Sequence, residues 1–378
     1  MKAWVEIARE LGPALAAHAA RHDAEGSFVV EAYQLFKKHA LFSMAVPAEL
    51  GGGGATHHQT CAAIREIGRH CGSSALALSM HTHLVAAAVW RHRHGQPGEQ
   101  LLRAVAEREL VLVSTGATDW IDSNGTMERV DGGYRVTARK VFGSGSPVAD
   151  RMIASAQYDD PTDGPLVLHF AVPLEAEGVA VGNDWDTLAM RGTGSHTIVL
   201  DRVFVPDRAI SLRRPRGQWH ASWNVVLGVA VPIYMSAYAG VVDAAAALAR
   251  REAMRKRDVA FMPYLVGELE NEVAIVELAW RDMIAVTAEY EASATLEVAN
   301  AQLVRKTVMT SAALRAVDKA AEVCGGRGFF RSFGFERLLR DVHAAPFHPL
   351  PEKRQLEFTG RLAMGLDPIT GEPATCYA

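Results

Sequence analysis

The sequence predicts a mostly α-helical protein with a β domain set into its middle. Three observations carry that expectation. Alanine, leucine and helix-compatible charges fill the first 109 residues, β-branched and aromatic residues alternate with polar ones from 110 to about 210, and helical periodicity then persists to about residue 365.

The first segment, residues 1–109, reads as an all-α domain whose one obvious loop is "VPAELGGGGATHH". The second, 110–212, contains "GYRVTARKVF", "LVLHFAV" and "HTIVLDRVFVP", strands divided by turns such as "DDPTDGP". In the third, 213–378, Leu269, Val273, Val276, Trp280 and Met283 recur at steps of three and four, a single helix stripe suited to a core. Several such helices predict a four-helix type of bundle. An order of α, β, then α-bundle, without βαβ alternation, argues against a doubly wound nucleotide fold. The glycines Gly51 to Gly54 lie between helices with no strand before them, so they do not make a phosphate loop.

Composition narrows the function classes. Of 378 residues, 49% are apolar and 22% charged, and the net charge is −4, which excludes the basic footprint of a nucleic-acid binder. Cys61, Cys71, Cys324 and Cys376 show no CxxC pairing, so each is expected to be a thiol without a role, in a reducing cytoplasm. The charged amino terminus does not read as a signal peptide. The apolar run "VVLGVAVPIYMSAYAGVV" is interrupted by Pro232 and reads as a buried bundle helix rather than a membrane span.

Four stretches, in order, resemble the acyl-CoA dehydrogenase superfamily over essentially the whole chain. They are "VPAELGGGG", "GGYRVTARKVFGSGSPVAD", "LAMRGTGSHTIVLDRVFVP" and "AEVCGGRGFFRSFGFERLLRD". The resemblance implies an N-terminal helical domain, a middle β-barrel or sandwich and a C-terminal bundle, with FAD between the β domain and the bundle; FMN or a diffusible reduced flavin stays open. It implies that Phe142 walls the isoalloxazine and that Ser144 bonds its N5. Ser114, Thr115 and Gly116 would face the pyrimidine ring, Arg251 the pyrophosphate, and Gly325 and Gly326 would approach from a neighbouring subunit. Arg191, Thr193 and Ser195 in the Met-Arg-Gly turn, with His81 and His83 on a helix, would line the substrate cavity. Read from the residues alone, Phe142 is a strand residue packed into the β core and "STGATD" a capped turn. A metal at His81 and His83 is disfavoured, because i and i+2 on a helix do not face the same way. His57 and His58 are expected to be solvated.

The dehydrogenases of the superfamily need a carboxylate to remove an α-proton. Nine residues after Arg340, where most keep it, stands Pro349, and the alternative helix position matches Ala230. Glu352 is the nearest acid, at what reads as the exposed start of a helix. "RDVHAAPFH" instead resembles the oxygenase branch, with His348 eight residues after the arginine. Those enzymes take reduced flavin from a separate reductase and form a flavin C4a-hydroperoxide. An imidazole of ordinary pKa, about 6.5, could pass a proton there near neutral pH. The expectation is therefore a cytoplasmic, homotetrameric or dimeric flavoenzyme, favoured as a reduced-flavin-dependent monooxygenase of a small organic or carrier-bound substrate. The alternatives are an acyl-CoA or acyl-carrier dehydrogenase served by an electron-transfer flavoprotein, and a catalytically degenerate flavin-binding relative.

Overall fold

The computed structural model describes residues 3–116 and 119–373; Cys376 lies outside the described residues. Five helices open the chain: α1 (Trp4–Glu25), α2 (Val30–Lys38), α3 (His57–His70), α4 (Gly72–Arg93) and α5 (Glu99–Arg108). Local chemistry sets their ends. Thr56 caps α3 by accepting from the Gln59 amide at 3.1 Å, while the Gln59 side chain accepts the Thr56 amide at 3.0 Å.

Eight strands follow: β1 (Leu112–Ser114), β2 (Thr126–Val130), β3 (Gly133–Gly143), β4 (Arg151–Asp160), β5 (Gly164–Pro173), β6 (Val179–Val181), β7 (His196–Pro206) and β8 (Ile210–Pro215). They form one sheet in the order β6-β7-β3-β2-β4-β5-β8, with β1 parallel to β4. The last strand runs three residues past the expected boundary at 212. Tyr134, Val136, Ala138 and Lys140 alternate inward along β3, as a half-buried strand requires. Between Lys140 and Gly143 the pairing with β7 slips. This bulge turns Phe142 outward at φ 61°, half exposed, and so overturns the expectation of a ring packed into the β core.

The remaining helices are α6 (Ala221–Arg255), α7 (Met262–Thr287), α8 (Leu296–Cys324), α9 (Phe335–Val342) and α10 (Glu352–Ala363). Three of them are long, and α10 is shorter. Their core is continuous with that of α1–α5, whereas the sheet has its own core around Val136, Leu168 and Leu200. Helix α6 is long and apolar enough to cross a membrane, yet 94% of its apolar window is buried inside the protein.

Pro232 does not interrupt α6. A proline leaves the carbonyl four residues earlier without its donor. That carbonyl, Gly228 O, accepts from Thr287 Oγ1 at 3.0 Å and Gln302 Nε2 at 3.1 Å. The next carbonyl, Val229 O, accepts from His57 Nε2 at 2.9 Å. His57 is thus fully buried rather than solvated, while His58 is exposed.

Candidate active site

Tyr234 and Tyr238, one turn apart on α6, lie on the same helix face. The loop after α9 lays His348 across them. Its ring stacks on Tyr234 with centroids 4.8 Å apart, and its Nε2 lies 2.6 Å from the Tyr238 hydroxyl. Tyr238 is fully buried, and burial holds its pKa well above the usual phenol value. A buried phenol keeps its proton and must place it, so Tyr238 donates to Nε2 and the ring hydrogen sits on Nδ1.

Lys306 of α8 holds this loop from beneath. Its ammonium donates to His348 O at 2.7 Å and Leu350 O at 2.8 Å, and burial lowers its pKa to about 8. Burial, then the nearby charge of Lys306 and the ring of His83, push His348 down to about 3. His348 is therefore neutral at physiological pH, which corrects the expectation of an imidazole titrating near pH 7. It offers a fixed Nδ1–H donor instead. Lys306 and Tyr238 were missed from the sequence. One signal was available for Lys306: it falls on the buried stripe Ala299, Gln302, Leu303, Met309, Ala313, where a lysine is out of place.

The two α4 histidines part company. His83 is buried near His348. His81 is fully buried and spends both nitrogens on backbone, Nε2–H donating to Phe42 O at 2.8 Å and Nδ1 accepting from the Leu112 amide at 3.0 Å. It braces the start of β1 rather than lining a cavity. Glu352 begins α10 with its side chain half exposed, 3.0 Å from Lys353. Pro349 offers only its carbonyl, which accepts from Tyr234 at 3.2 Å.

On the β domain, Ser144, Ser195 and Thr193 form a buried line of hydroxyls spaced 2.7 Å apart. Phe142 stands beside it, its ring edge-on to Trp185 at 6.0 Å. Arg191, by contrast, is spent within the fold: it donates to Asp23 O at 2.7 Å and Thr187 O at 2.8 Å and pairs with Asp186. The Arg340-Asp341 pair joins this turn to the helices. Arg340 pairs with Asp23 and donates to Leu188 O, while buried Asp341 accepts the Met190 amide at 2.8 Å. Burial raises Asp341 to about 6 despite that bond.

Ser114 ends β1, Thr115 and Gly116 follow it, and a Cβ at Gly116 would meet open space. The segment 119–124 is anchored by two buried cations. Lys140 bonds Asp119 at 2.7 Å and Asn124 O at 2.9 Å; Arg214 donates to Asp119 O and Ile121 O, each at 2.7 Å. Arg251, Gly325 and Gly326 are exposed together at another end of the bundle, where Lys256 of α6 caps the Cys324 carbonyl of α8 at 2.7 Å. Thirteen residues of helix put Arg251 about 20 Å from Tyr238. Within one chain the phosphate set and the His348 cluster are therefore separate. A groove of about 710 Å³ lies elsewhere again, on the sheet between Tyr134 and Leu212, where Arg129 and Arg213 are paired with Asp207 and Asp160.

These residues fit a flavin. A half-exposed aromatic ring, a hydroxyl beside it, open backbone at Gly116 and Gly326 and an exposed guanidinium match its ring, its N5 and its phosphate. Among the described residues no cluster of metal ligands occurs.

Burial also makes a prediction about acid. His57, His81 and His83 are each held near pKa 4 by desolvation, below the 6.5 of the unfolded chain. Their contribution is full above pH 6.5 and is lost as pH falls toward 4, at up to about 4 kcal/mol per pH unit together. Asp341, raised in the fold, offsets part of this below pH 6. Urea midpoints at pH 7, 6 and 5 should fall steeply; a flat series would contradict the neutral, buried assignment.

Known proteins match the chain in sequence and fold. The model of the acyl-CoA dehydrogenase N-terminal domain matches residues 5–109, and that of the C-terminal domain residues 221–351. The chain is 29% identical to L-evernosamine nitrososynthase of a Micromonospora species, over 96% of this chain and 90% of that one. It is 26% identical to a probable FMNH2-dependent monooxygenase, SfnC, of Pseudomonas putida, over 90% of each. The crystal structure of nitrososynthase from Micromonospora carbonacea var. africana superposes with a TM-score of 0.88 at 26% identity, covering 96% of both chains.

Proposed function

The chain belongs to the acyl-CoA dehydrogenase family and is a flavin-dependent oxidoreductase, and we propose that within the family it is a reduced-flavin-dependent monooxygenase. The observation that carries this reading is His348, a neutral imidazole bonded to Tyr238 beside a proline, where a desaturating enzyme of the family would place its carboxylate. Desaturation through Glu352 would need that side chain inside the cluster, and it stands half exposed beside Lys353. Bound reduced flavin supplies two electrons and activates dioxygen, so that one oxygen atom enters the substrate and the other leaves as water.

The protein's own residues supply geometry and proton control. His348 Nδ1–H is a fixed donor, Tyr238 holds the ring, Lys306 holds the loop, and Phe142 with Ser144 lies at the β-domain wall. The name of the Pseudomonas relative supports FMN as the flavin, and that of the Micromonospora relative supports an amine as substrate. In this reading a separate reductase in the cytoplasm would deliver the reduced flavin. Exposed Phe329, Phe330 and Phe347 support a homo-oligomer, a tetramer or dimer.

Two measurements test the reading. With chemically reduced FMN, the protein should slow the release of hydrogen peroxide on exposure to air compared with free FMN. Under argon, an acyl thioester should fail to bleach bound flavin. Bleaching by the thioester, with no effect on peroxide release, would replace this reading by the dehydrogenase one.

A further inference from the structure

We propose that Thr193, Ser195 and Ser144 form a directed relay that selects reduced over oxidised flavin. The inference rests on the reduced-flavin reading above and assigns the residues that would enforce it. Thr193 Oγ1 lies 2.9 Å from Met190 O, Ser195 Oγ lies 2.7 Å from Thr193 Oγ1, and Ser144 Oγ lies 2.7 Å from Ser195 Oγ. All three hydroxyl residues are buried.

Each hydroxyl owns one hydrogen and the carbonyl owns none. There are three contacts and three hydrogens, and one assignment fills them all. Thr193 donates to Met190, Ser195 donates to Thr193, and Ser144 donates to Ser195. Turning the line around leaves Met190 O and Thr193 Oγ1 facing each other with no hydrogen between them. Met190 itself is fixed, its amide on Asp341 and its carbonyl also accepting from Trp185 Nε1 at 3.1 Å. The Ser144 oxygen therefore meets any further partner as an acceptor.

A reduced flavin carries hydrogen on N5 and donates from it, whereas the oxidised ring presents a lone pair there. If Ser144 bonds N5, the relay satisfies the reduced form and opposes the oxidised one. Reversing one buried hydrogen bond is worth about tenfold in affinity.

The test is anaerobic titration of the full chain with oxidised FMN and with dithionite-reduced FMN. Wild type should bind the reduced form at least about tenfold more tightly. Thr193→Val keeps the shape but releases the line, and Ser195→Ala cuts it. Each should lower the reduced-to-oxidised affinity ratio about tenfold, which lowers the midpoint potential of bound FMN by about 30 mV. Far-ultraviolet circular dichroism checks that both variants fold. If wild type shows the preference and both folded variants keep the same ratio and potential, the relay is wrong while the monooxygenase reading stands. If wild type shows no preference and a thioester bleaches its flavin, both are wrong.

Discussion

His348→Ala should cut product formation by about a hundredfold or more while oxygen uptake with reduced FMN continues and ends as hydrogen peroxide. The expectation follows from the roles of the two ring nitrogens. Nε2 is committed to Tyr238, so Nδ1–H is the donor left for chemistry. Removing the ring also orphans the Tyr238 hydroxyl, which costs about 1–3 kcal/mol of stability. The double variant His348→Ala, Tyr238→Phe removes that penalty and separates folding from chemistry. Its product yield per oxygen consumed should stay low even where its urea midpoint recovers. A His348→Ala enzyme that remains fully coupled would remove the imidazole from the mechanism.

The second large effect is on stability. Lys140→Met leaves the Asp119 carboxylate buried without its cation and should cost about 3–5 kcal/mol. Lys140 has no exposed surface, and Asp119 only 1%. Burial lowers the lysine's pKa even against the raising pull of Asp119, so the pair is costly to hold and costlier to split. The double variant Lys140→Met, Asp119→Leu should recover part of the loss, because an apolar pair needs no solvation. Flavin affinity should not recover with it, since the pair also anchors the backbone after Gly116. Urea unfolding and FMN titration on the three variants check both parts. A single variant within 1 kcal/mol of wild type would show that the pair is not holding the segment.

How much of this was legible depended on whether the chemistry was local. The helix–sheet–helix order was legible because periodicity and turn residues are local signals. The proline at 349 and histidine at 348 were legible by counting. The partners of His348 were not, because Tyr238 reads as one more large residue in an apolar helix and meets the loop across 110 positions. Lys140 was there to be read, since it keeps the inward parity of Tyr134, Val136 and Ala138. Phe142 keeps the same parity and yet faces out, because one slipped pair with β7 reverses every expectation downstream of it. His57 looked like polar surface and His81 like a cavity-lining side chain. Their partners are backbone carbonyls and amides, and a sequence does not show which of those lack a mate.

The proline in α6 now takes on a different meaning. The buried faces of α6 and α8 are rich in alanine and valine, and such smooth surfaces put few constraints on axial position. Gly228 O demands a donor and Val229 O accepts a further one, and His57, Thr287 and Gln302 come from three different helices. The turn at Pro232, short of one donor, therefore acts as an alignment mark that fixes the axial position of each neighbour. Gln302 is one turn from Lys306, and Pro232 is less than two turns from Tyr238. The same mark that aligns the helices also sets the height at which the His348 loop is gripped.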